Sequence, residues 1–433
     1  MTIFALATPS GRGAIAVIRL SGEGVRLALA SLGADALKPR VAHLRKLTYG
    51  SQVLDEALVL WFPGPRSFTG EDCAELHLHG GRAVIDGISL ALLDLGLRPA
   101  DPGEFTRRAF ANGRLDLVQA EAIADLVDAE TQAQAEQALG QLGGALGGVY
   151  AGFRADLLTA LSLVEAEIDF PDQDVPEQLA QTAGPVLDGL VERLRAALSD
   201  GRRGERVRSG YRIVLIGETN AGKSSLFNAL TARDAAIVTA IPGTTRDVLD
   251  ADLVIGGYAV TLSDTAGLRD SDDPVEMEGV RRARARAETA DLRLWVRSPG
   301  ESASAAEPFM RPGDLVVLTK ADLGVAIAPA GRDVLTVSTS TGQGLEALVE
   351  WLRERLSREL AGTDFPAVTR ERHRQRLSEA LAAVEAGRRA LDIGPEMAAE
   401  DLRRAALALG RVTGEIGVED VLGEVFATFC IGK

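Results

Sequence analysis

The octapeptide GETNAGKS at residues 217–224 constrains this chain more than any other stretch, because it fits the pattern G-x-x-x-x-G-K-[ST]. An apolar, β-branched run precedes it at 211–216, and residues 225–230 continue at helical spacing. A strand, a glycine-rich turn and a helix N-terminus direct backbone N–H groups and a helix dipole at one point, which suits a phosphate group. The sequence therefore predicts a nucleotide site in which Lys223 reaches the β- and γ-phosphates and the Ser224 hydroxyl binds magnesium.

Composition limits what the rest of the chain can be. Its 433 residues correspond to about three domains of roughly 150 residues. The formal net charge of −15 argues against strong non-specific binding of nucleic acid, although it is compatible with a local basic patch. Two cysteines form neither a disulfide framework nor a zinc site, and the N-terminus has no basic leader. Because no apolar run reaches membrane-spanning length, we predict no membrane partner. The cysteine content favours a reducing cytoplasm, and we predict no DNA partner.

Changes in apolar periodicity divide the chain into four segments. Residues 1–118 mix strand-like and helix-like stretches, residues 119–210 and 366–433 are helical, and residues 211–365 alternate strand, loop and helix as a parallel α/β sheet does. Because helical segments flank the phosphate motif on both sides, we infer one discontinuous helical domain that carries the nucleotide domain as an insertion. The predicted fold class is α/β plus all-α, with an α+β domain at the N-terminus.

Three short stretches carry narrower predictions. Residues 201–204, GRRG, are predicted to form a basic linker before the phosphate-binding strand. Residues 298–311 are barely long enough for a crossover helix between parallel strands, so we expect that part of the domain to be abbreviated. His77 and His79 share one face of a predicted strand, and with no third ligand nearby we favour a solvated or hydrogen-bonded pair over a metal site.

Two motifs after the phosphate loop supply further groups around the phosphates. Asp264 stands at a predicted strand end and is followed by TAG, which suits a carboxylate behind the magnesium and a backbone N–H to the γ-phosphate. Thr245 is placed to complete the magnesium shell when the γ-phosphate is present. Residues 231–246 are therefore predicted to form a switch.

The base is indicated by TKAD at 319–322 and STS at 338–340, each after a predicted strand. The Asp322 carboxylate can accept both donors on the Watson–Crick edge of guanine, which adenine cannot match. The STS residues would support the base from its other side, so the motifs together favour GTP over ATP. Thr319 stands where many guanine sites carry Asn, which predicts some loss of affinity or base selectivity.

The route of hydrolysis departs from that of Ras-like enzymes, which orient the attacking water with a glutamine. Leu268 occupies that place here, and an aliphatic side chain cannot orient water. The acidic run at 270–278 offers other groups for this task. Asn220 in the phosphate loop could hold a monovalent cation that supplies the charge of an arginine finger, or could form only a loop hydrogen bond.

Six further stretches accompany these motifs, namely ATPSGRG at 7–13, SFTGED at 67–72, PGEFTR at 102–107, QAEAIAD at 119–125, DFP at 169–171 and the terminal CIGK at 430–433. With them the chain resembles the MnmE (TrmE) family of bacterial tRNA-modification GTPases over nearly its whole length. The resemblance implies a folate-binding and dimerising domain at 1–118 and a helical domain in two parts, at 119–210 and 366–433. It also implies an inserted Ras-like P-loop GTPase domain at 211–365.

The resemblance also implies an activity and its partners. The family works as a homodimer with the flavoprotein MnmG on tRNA, and installs a carboxymethylaminomethyl-type group at carbon 5 of the wobble uridine. The implied one-carbon donor is a tetrahydrofolate derivative, in the 5-formyl or 5,10-methylene form. GTPase domains of the family pair across the dimer with potassium bound, which agrees with the absence of the glutamine.

Site residues carry over by position from the family's motifs. Potassium would be held by Asn220, Thr239, Ile241 and Thr244, and magnesium by Ser224 and Thr245. The implied catalytic residues are Lys223, Asp264, the water-activating Glu276 and Cys430, whose role as a packing residue or a reactive thiol is left open. The implied folate contacts are Arg19, Glu75, Lys433 and Arg114, the last standing where a relative has Lys.

The positions that would contact GTP are Asn220, Ala221, Gly222, Lys223, Ser224 and Ser225 in the phosphate loop; Thr239, Ala240, Ile241, Pro242, Gly243, Thr244 and Thr245 in the switch; Asp264, Thr265, Ala266 and Gly267; Thr319, Lys320, Ala321 and Asp322; and Ser338, Thr339 and Ser340.

Two other readings compete with this one. A ribosome-assembly or RNA-binding switch GTPase would share the nucleotide motifs, but such proteins add a basic RNA-binding module. No K/R-G-x-x-G setting of that sort follows residue 365. A folate-dependent aminomethyltransferase is suggested by the N-terminal domain alone, and it leaves the GTPase motifs without a role.

Overall fold

The computed structural model describes residues 1–9, 11–169, 178–200, 202–233, 250–264, 281, 284–299, 307–324, 329, 331–362, 364–415, 429 and 432. The chain forms two compact units. The first unit contains residues 1–127, 141–190 and 379–433, and the second contains residues 128–140 and 191–378. In the part of the chain described, no helix combines the length and the apolar character needed to span a membrane.

Six strands and seven helices precede residue 200 in the described ranges. They are β1 (Ile3–Leu6), β2 (Ile15–Ser21), α1 (Val25–Ser31), β3 (His43–Tyr49), β4 (Gln52–Phe62), β5 (Cys73–His79), α2 (Arg82–Asp94), β6 (Arg98–Pro99), α3 (Glu104–Ala111), α4 (Leu117–Val127), α5 (Gln132–Leu142), α6 (Ala145–Asp169) and α7 (Gly184–Leu198). Helix α2 begins at Arg82 and buries Ile88, Ala91 and Leu92.

The strands of the first unit form one sheet in the order β3-β4-β5-β2-β1-β6. All neighbouring pairs are antiparallel except β1 and β6. Alternation along β5 buries Ala74, Leu76 and Leu78 against a core shared with α1 and α2, as expected for a half-buried strand. The opposite face of β5 therefore carries Glu75 and His77.

Helix α6 carries the longest apolar stripe of the first unit. Phe153, Leu157, Leu161 and Val164 are buried along it, at the three- and four-residue spacing that places side chains on one face of a helix. They lie on a helix that packs against the last described helix of the chain, Pro395–Thr413. Burial of such side chains stabilises each by about 1.5–3 kcal/mol relative to exposure.

The elements after residue 200 are α8 (Arg203–Ser209), β7 (Tyr211–Ile216), α9 (Lys223–Arg233), β8 (Asp250–Ile255), β9 (Tyr258–Asp264), β10 (Leu292–Arg297), β11 (Leu315–Leu318), β12 (Asp333–Thr336), α10 (Leu345–Leu360), α11 (Glu371–Ala390) and α12 (Pro395–Thr413). The strands form a second sheet in the order β12-β11-β10-β7-β9-β8. Only the β8–β9 pair is antiparallel, so the carboxyl ends of β7, β9, β10, β11 and β12 meet at one edge. The predicted parallel α/β sheet is confirmed.

The predicted linker at 201–204 is wrong in part, because α8 begins at Arg203. The helix forms because Val207 is buried and Arg206 bonds carboxylates of the second unit. Its guanidinium lies 2.8 Å from Asp291 and 3.0 Å from Glu359. Within the stretch predicted to be abbreviated, residues 307–309 form one 3₁₀ turn before β11, and residues 300–306 lie outside the described ranges.

Candidate functional site

The phosphate loop joins β7 to α9 with backbone conformations that the sequence anticipates. Gly217 has a φ of 153°, and a Cβ added there would lie 2.2 Å from the Val296 carbonyl oxygen. Only glycine can make this turn beside β10. Asn220 is left-handed at a φ of 65°, a conformation that asparagine tolerates better than most residues. The loop therefore has the strand–turn–helix form that a phosphate site requires.

Lys223 places its charge inside this loop. The residue is only 7% exposed, and its ammonium donates to the carbonyl oxygens of Gly217 at 3.2 Å and Glu218 at 2.8 Å. It also begins α9, where the helix dipole favours an anion. The charge of Lys223 and the positive end of the α9 dipole therefore both favour a phosphate bound at this loop.

Ser224 and Asp264 meet beside the loop. Asp264 ends β9 directly beside β7, and its carboxylate oxygen Oδ2 accepts the Ser224 hydroxyl at 2.6 Å. The carboxylate is 8% exposed, and its other oxygen, Oδ1, has no hydrogen-bond partner among the described residues. A buried carboxylate oxygen without a partner, next to a hydroxyl, offers the hard oxygen donors that magnesium prefers. The residues present therefore fit a magnesium site.

The predicted base-binding residues come together at the ends of β11 and β12. The Ser338 hydroxyl donates to Asp322 Oδ1 at 2.6 Å and lies 2.9 Å from the Ser340 hydroxyl. The hydrogen bond from Ser338 lowers the pKa of the Asp322 carboxyl below its usual value. The carboxylate is thus kept ionised and oriented, as an acceptor of guanine donors must be.

Two further contacts tie the base-binding loop to the phosphate loop. The Lys320 ammonium donates to the Asn220 carbonyl oxygen at 2.8 Å. The Thr319 hydroxyl, in a residue 3% exposed, lies 2.5 Å from the Ala221 carbonyl oxygen and 3.0 Å from that of Arg297. Sequence reasoning placed residue 319 at the base and missed this structural contact, because the motif says nothing of which atoms a threonine reaches.

A separate cavity of about 560 Å³ lies in the first unit between α6 and α12, and no predicted site residue lines it. A larger one of about 920 Å³ contains three predicted site residues, Arg19, Glu75 and Arg114. Arg19 bonds Glu75 Oε1 through two nitrogen atoms, at 3.0 and 3.2 Å, and its guanidinium lies 5.6 Å from the Phe68 ring centre. Charged and aromatic groups therefore line one apolar-walled pocket of ligand size.

His77 and His79 are each hydrogen-bonded to a carboxylate, as the sequence favoured. His77 Nε2 lies 3.2 Å from Glu75 Oε2, and His79 Nδ1 lies 2.7 Å from Asp55 Oδ1. Across the described ranges, no group of three or more His, Cys, Asp or Glu residues could hold a metal ion.

Part of the predicted site lies outside the described residues. This holds for Thr239, Ala240, Ile241, Pro242, Gly243, Thr244, Thr245, Thr265, Ala266, Gly267, Leu268, Glu276, Cys430 and Lys433. Of the others, Ser225 is exposed in the first turn of α9, the Ala321 N–H donates to the Val337 carbonyl oxygen at 3.2 Å, and Thr339 is half-buried between Ser338 and Ser340.

Two family models match nearly the whole chain. The family model described as "GTP-binding protein TrmE N-terminus" matches residues 2–114, and that described as "MnmE helical domain" matches residues 117–430. The second match alone spans well over half of the chain. The chain belongs to the MnmE family.

Curated MnmE proteins match from end to end. The tRNA modification GTPase MnmE of Caulobacter vibrioides is 52% identical over 443 residues, covering 100% of this chain and 99% of that protein. The MnmE of Parvibaculum lavamentivorans is 51% identical over 441 residues, covering 100% of each. The solved G domain of the T. maritima FeoB iron transporter is 25% identical and covers 35% of this chain and 99% of that one, but its TM-score of 0.26 is too low to bear on the fold.

Proposed function

We propose that this MnmE-family protein hydrolyses GTP and modifies tRNA together with the flavoprotein MnmG. The product is a carboxymethylaminomethyl-type group at carbon 5 of the wobble uridine, with a tetrahydrofolate derivative as the one-carbon donor. The observation that carries the proposal is the placement of Lys223, the Ser224–Asp264 pair and the Asp322–Ser338 pair at one sheet edge. The relatives named tRNA modification GTPase support it along the full chain.

The chain's own groups would bind and orient the nucleotide. Lys223 and the N-terminus of α9 hold the phosphates, while Asp322 accepts the guanine N1–H and 2-amino hydrogens. Ser224 and Thr245 would bind magnesium, with Asp264 orienting that shell through the Ser224 hydroxyl. Bound magnesium supplies positive charge that offsets the charge on the transferred phosphoryl group.

Water activation would rest on Glu276, with potassium held by Asn220, Thr239, Ile241 and Thr244. Asn220 supports this assignment, because it lies in the loop that also holds Lys223 and has a left-handed backbone conformation there. A cation there would supply the charge that an arginine finger provides elsewhere. In the family this geometry forms when two GTPase domains pair, so we propose a homodimer as the active species.

The 920 Å³ cavity is our proposed folate site. A pterin ring presents two hydrogen-bond donors on one edge, and the Glu75 carboxylate, fixed by Arg19, can accept both. Arg114, and Lys433 beyond the described residues, would supply cationic partners for the glutamate tail of the folate. The volume lies within the range of about 300–1,000 Å³ usual for small-molecule sites.

Glu75→Gln is expected to weaken binding of 5-formyl-tetrahydrofolate by about 10- to 100-fold, because charge-assisted hydrogen bonds contribute about 1.5–3 kcal/mol. Isothermal titration calorimetry measures the change. Glu56→Gln, on the exposed part of neighbouring β4, is the matched control and should bind normally. Unchanged affinity in a Glu75→Gln protein that melts at the wild-type temperature would place the folate elsewhere.

The tRNA activity is tested by expressing this chain in a bacterium whose own MnmE gene is deleted. Mass spectrometry of wobble nucleosides from total tRNA should show the modified uridine restored to parental levels. Restoration by the wild type but not by Lys223→Ala would tie the modification to GTP hydrolysis. Full hydrolysis in vitro without restored modification would favour the switch-GTPase alternative.

A further inference from the structure

We propose that Thr319 makes no contact with guanine N7, so that among the described residues Asp322 reads the Watson–Crick edge and position 7 is left unread. The inference rests on the proposed function as a GTPase and concerns the specificity of the same site. Guanine sites with Asn at the position of Thr319 differ in this respect, because the side-chain amide of Asn has two hydrogens that it can donate.

A threonine hydroxyl has a single proton that it can donate. Guanine N7 is a pure acceptor, so a residue that reads it must donate. Thr319 Oγ1 directs its proton between the carbonyl oxygens of Ala221 at 2.5 Å and Arg297 at 3.0 Å. Both acceptors are backbone atoms of the protein. No second hydrogen remains on this side chain for N7.

Packing holds the hydroxyl where it is. Thr319 is 3% exposed, and a Cβ built on Gly222 would lie 3.2 Å from Thr319 Oγ1, 3.4 Å from its Cβ and 3.5 Å from its Cγ2. The side chain therefore fills the space beneath the phosphate loop. Because a β-branched residue has few χ1 rotamers, turning the hydroxyl toward the base would break both contacts and move the methyl group into the loop.

Neighbouring donors on the same loop also have protein acceptors. The Thr319 N–H donates to the Arg297 carbonyl oxygen at 2.7 Å, and the Lys320 ammonium donates to the Asn220 carbonyl oxygen at 2.8 Å. The Asp322 carboxylate, by contrast, is exposed and accepts a hydrogen bond from Ser338, which leaves carboxylate lone pairs available for the Watson–Crick donors of guanine. The site can therefore still distinguish guanine from adenine, whereas Thr319 does not contact the acceptor N7 of the base.

The experiment compares GDP with 7-deaza-GDP, in which a C–H replaces N7. Each competes with ribose-labelled GDP for the wild-type protein, and ADP is the specificity control. We expect 7-deaza-GDP to bind within about threefold of GDP or more tightly, because no hydrogen bond is lost. Weaker binding by more than threefold would overturn the inference. If neither guanine nucleotide competes, or ADP competes equally, the proposed function itself fails, which is a distinguishable result.

Two variants of full-length protein sharpen the result. Thr319→Asn adds a donor, and GDP should then be favoured over 7-deaza-GDP by about three- to tenfold, the worth of one hydrogen bond. Thr319→Val removes the hydroxyl but keeps the shape, and it should weaken both nucleotides equally by loosening the phosphate loop. A ratio that changes in Thr319→Val would show that the hydroxyl does read position 7, and would contradict the proposal.

Discussion

Asp322→Asn is expected to change the nucleotide preference of this protein from GTP to xanthosine triphosphate. The variant keeps one oxygen acceptor but replaces the other by an amide N–H donor, so it loses one of the two bonds to the guanine N1–H and 2-amino hydrogens and sets a donor against a donor. Each such charge-assisted bond is worth about 1.5–3 kcal/mol. An asparagine amide can instead donate to the 2-oxo group of xanthine. We expect kcat/KM for GTP to fall at least about 100-fold, and that for xanthosine triphosphate to rise by a similar factor.

The matched control is Asp333→Asn, an exposed aspartate at the start of β12 in the same unit. It should leave both rate constants unchanged. Because Ser338 donates to Asp322 Oδ1, it can still donate to an amide oxygen, so the variant loop should retain its conformation. GTP turnover that survives in Asp322→Asn would remove Asp322 from the base-binding site.

Lys223→Ala is expected to lower kcat for GTP hydrolysis by about 10²–10³-fold, the usual cost of removing one preorganised group that stabilises transition-state charge. The ammonium lies within the loop, where it donates to the carbonyl oxygens of Gly217 and Glu218. Single-turnover phosphate release separates this loss from weaker binding. Lys46→Ala, on an exposed position of β3, is the control. Near-normal turnover in Lys223→Ala would contradict the assignment of the phosphate site.

Local patterns were enough to predict the phosphate loop and much of the fold. The loop motif is fixed by steric needs, such as the 2.2 Å approach at Gly217, and the α6 stripe by helical periodicity. The start of helix α8 inside the predicted linker was missed because support for this helix comes from Asp291 and Glu359, which are distant in sequence. The same is true of Thr319, whose partner Ala221 lies about a hundred positions earlier in the chain. A motif identifies residues that are close in sequence, whereas contacts between residues distant in sequence depend on how the strands assemble.

The measurement that tests the central claim most directly is GTP hydrolysis by the purified protein in potassium and in sodium chloride at equal ionic strength. Wild type, Glu276→Ala and the nearby control Glu278→Ala are compared. The account predicts strong stimulation by potassium in the wild type and the control, and loss of turnover in Glu276→Ala. Equal rates in the two salts, or full activity in Glu276→Ala, would contradict potassium-assisted hydrolysis with Glu276 as the water-activating residue.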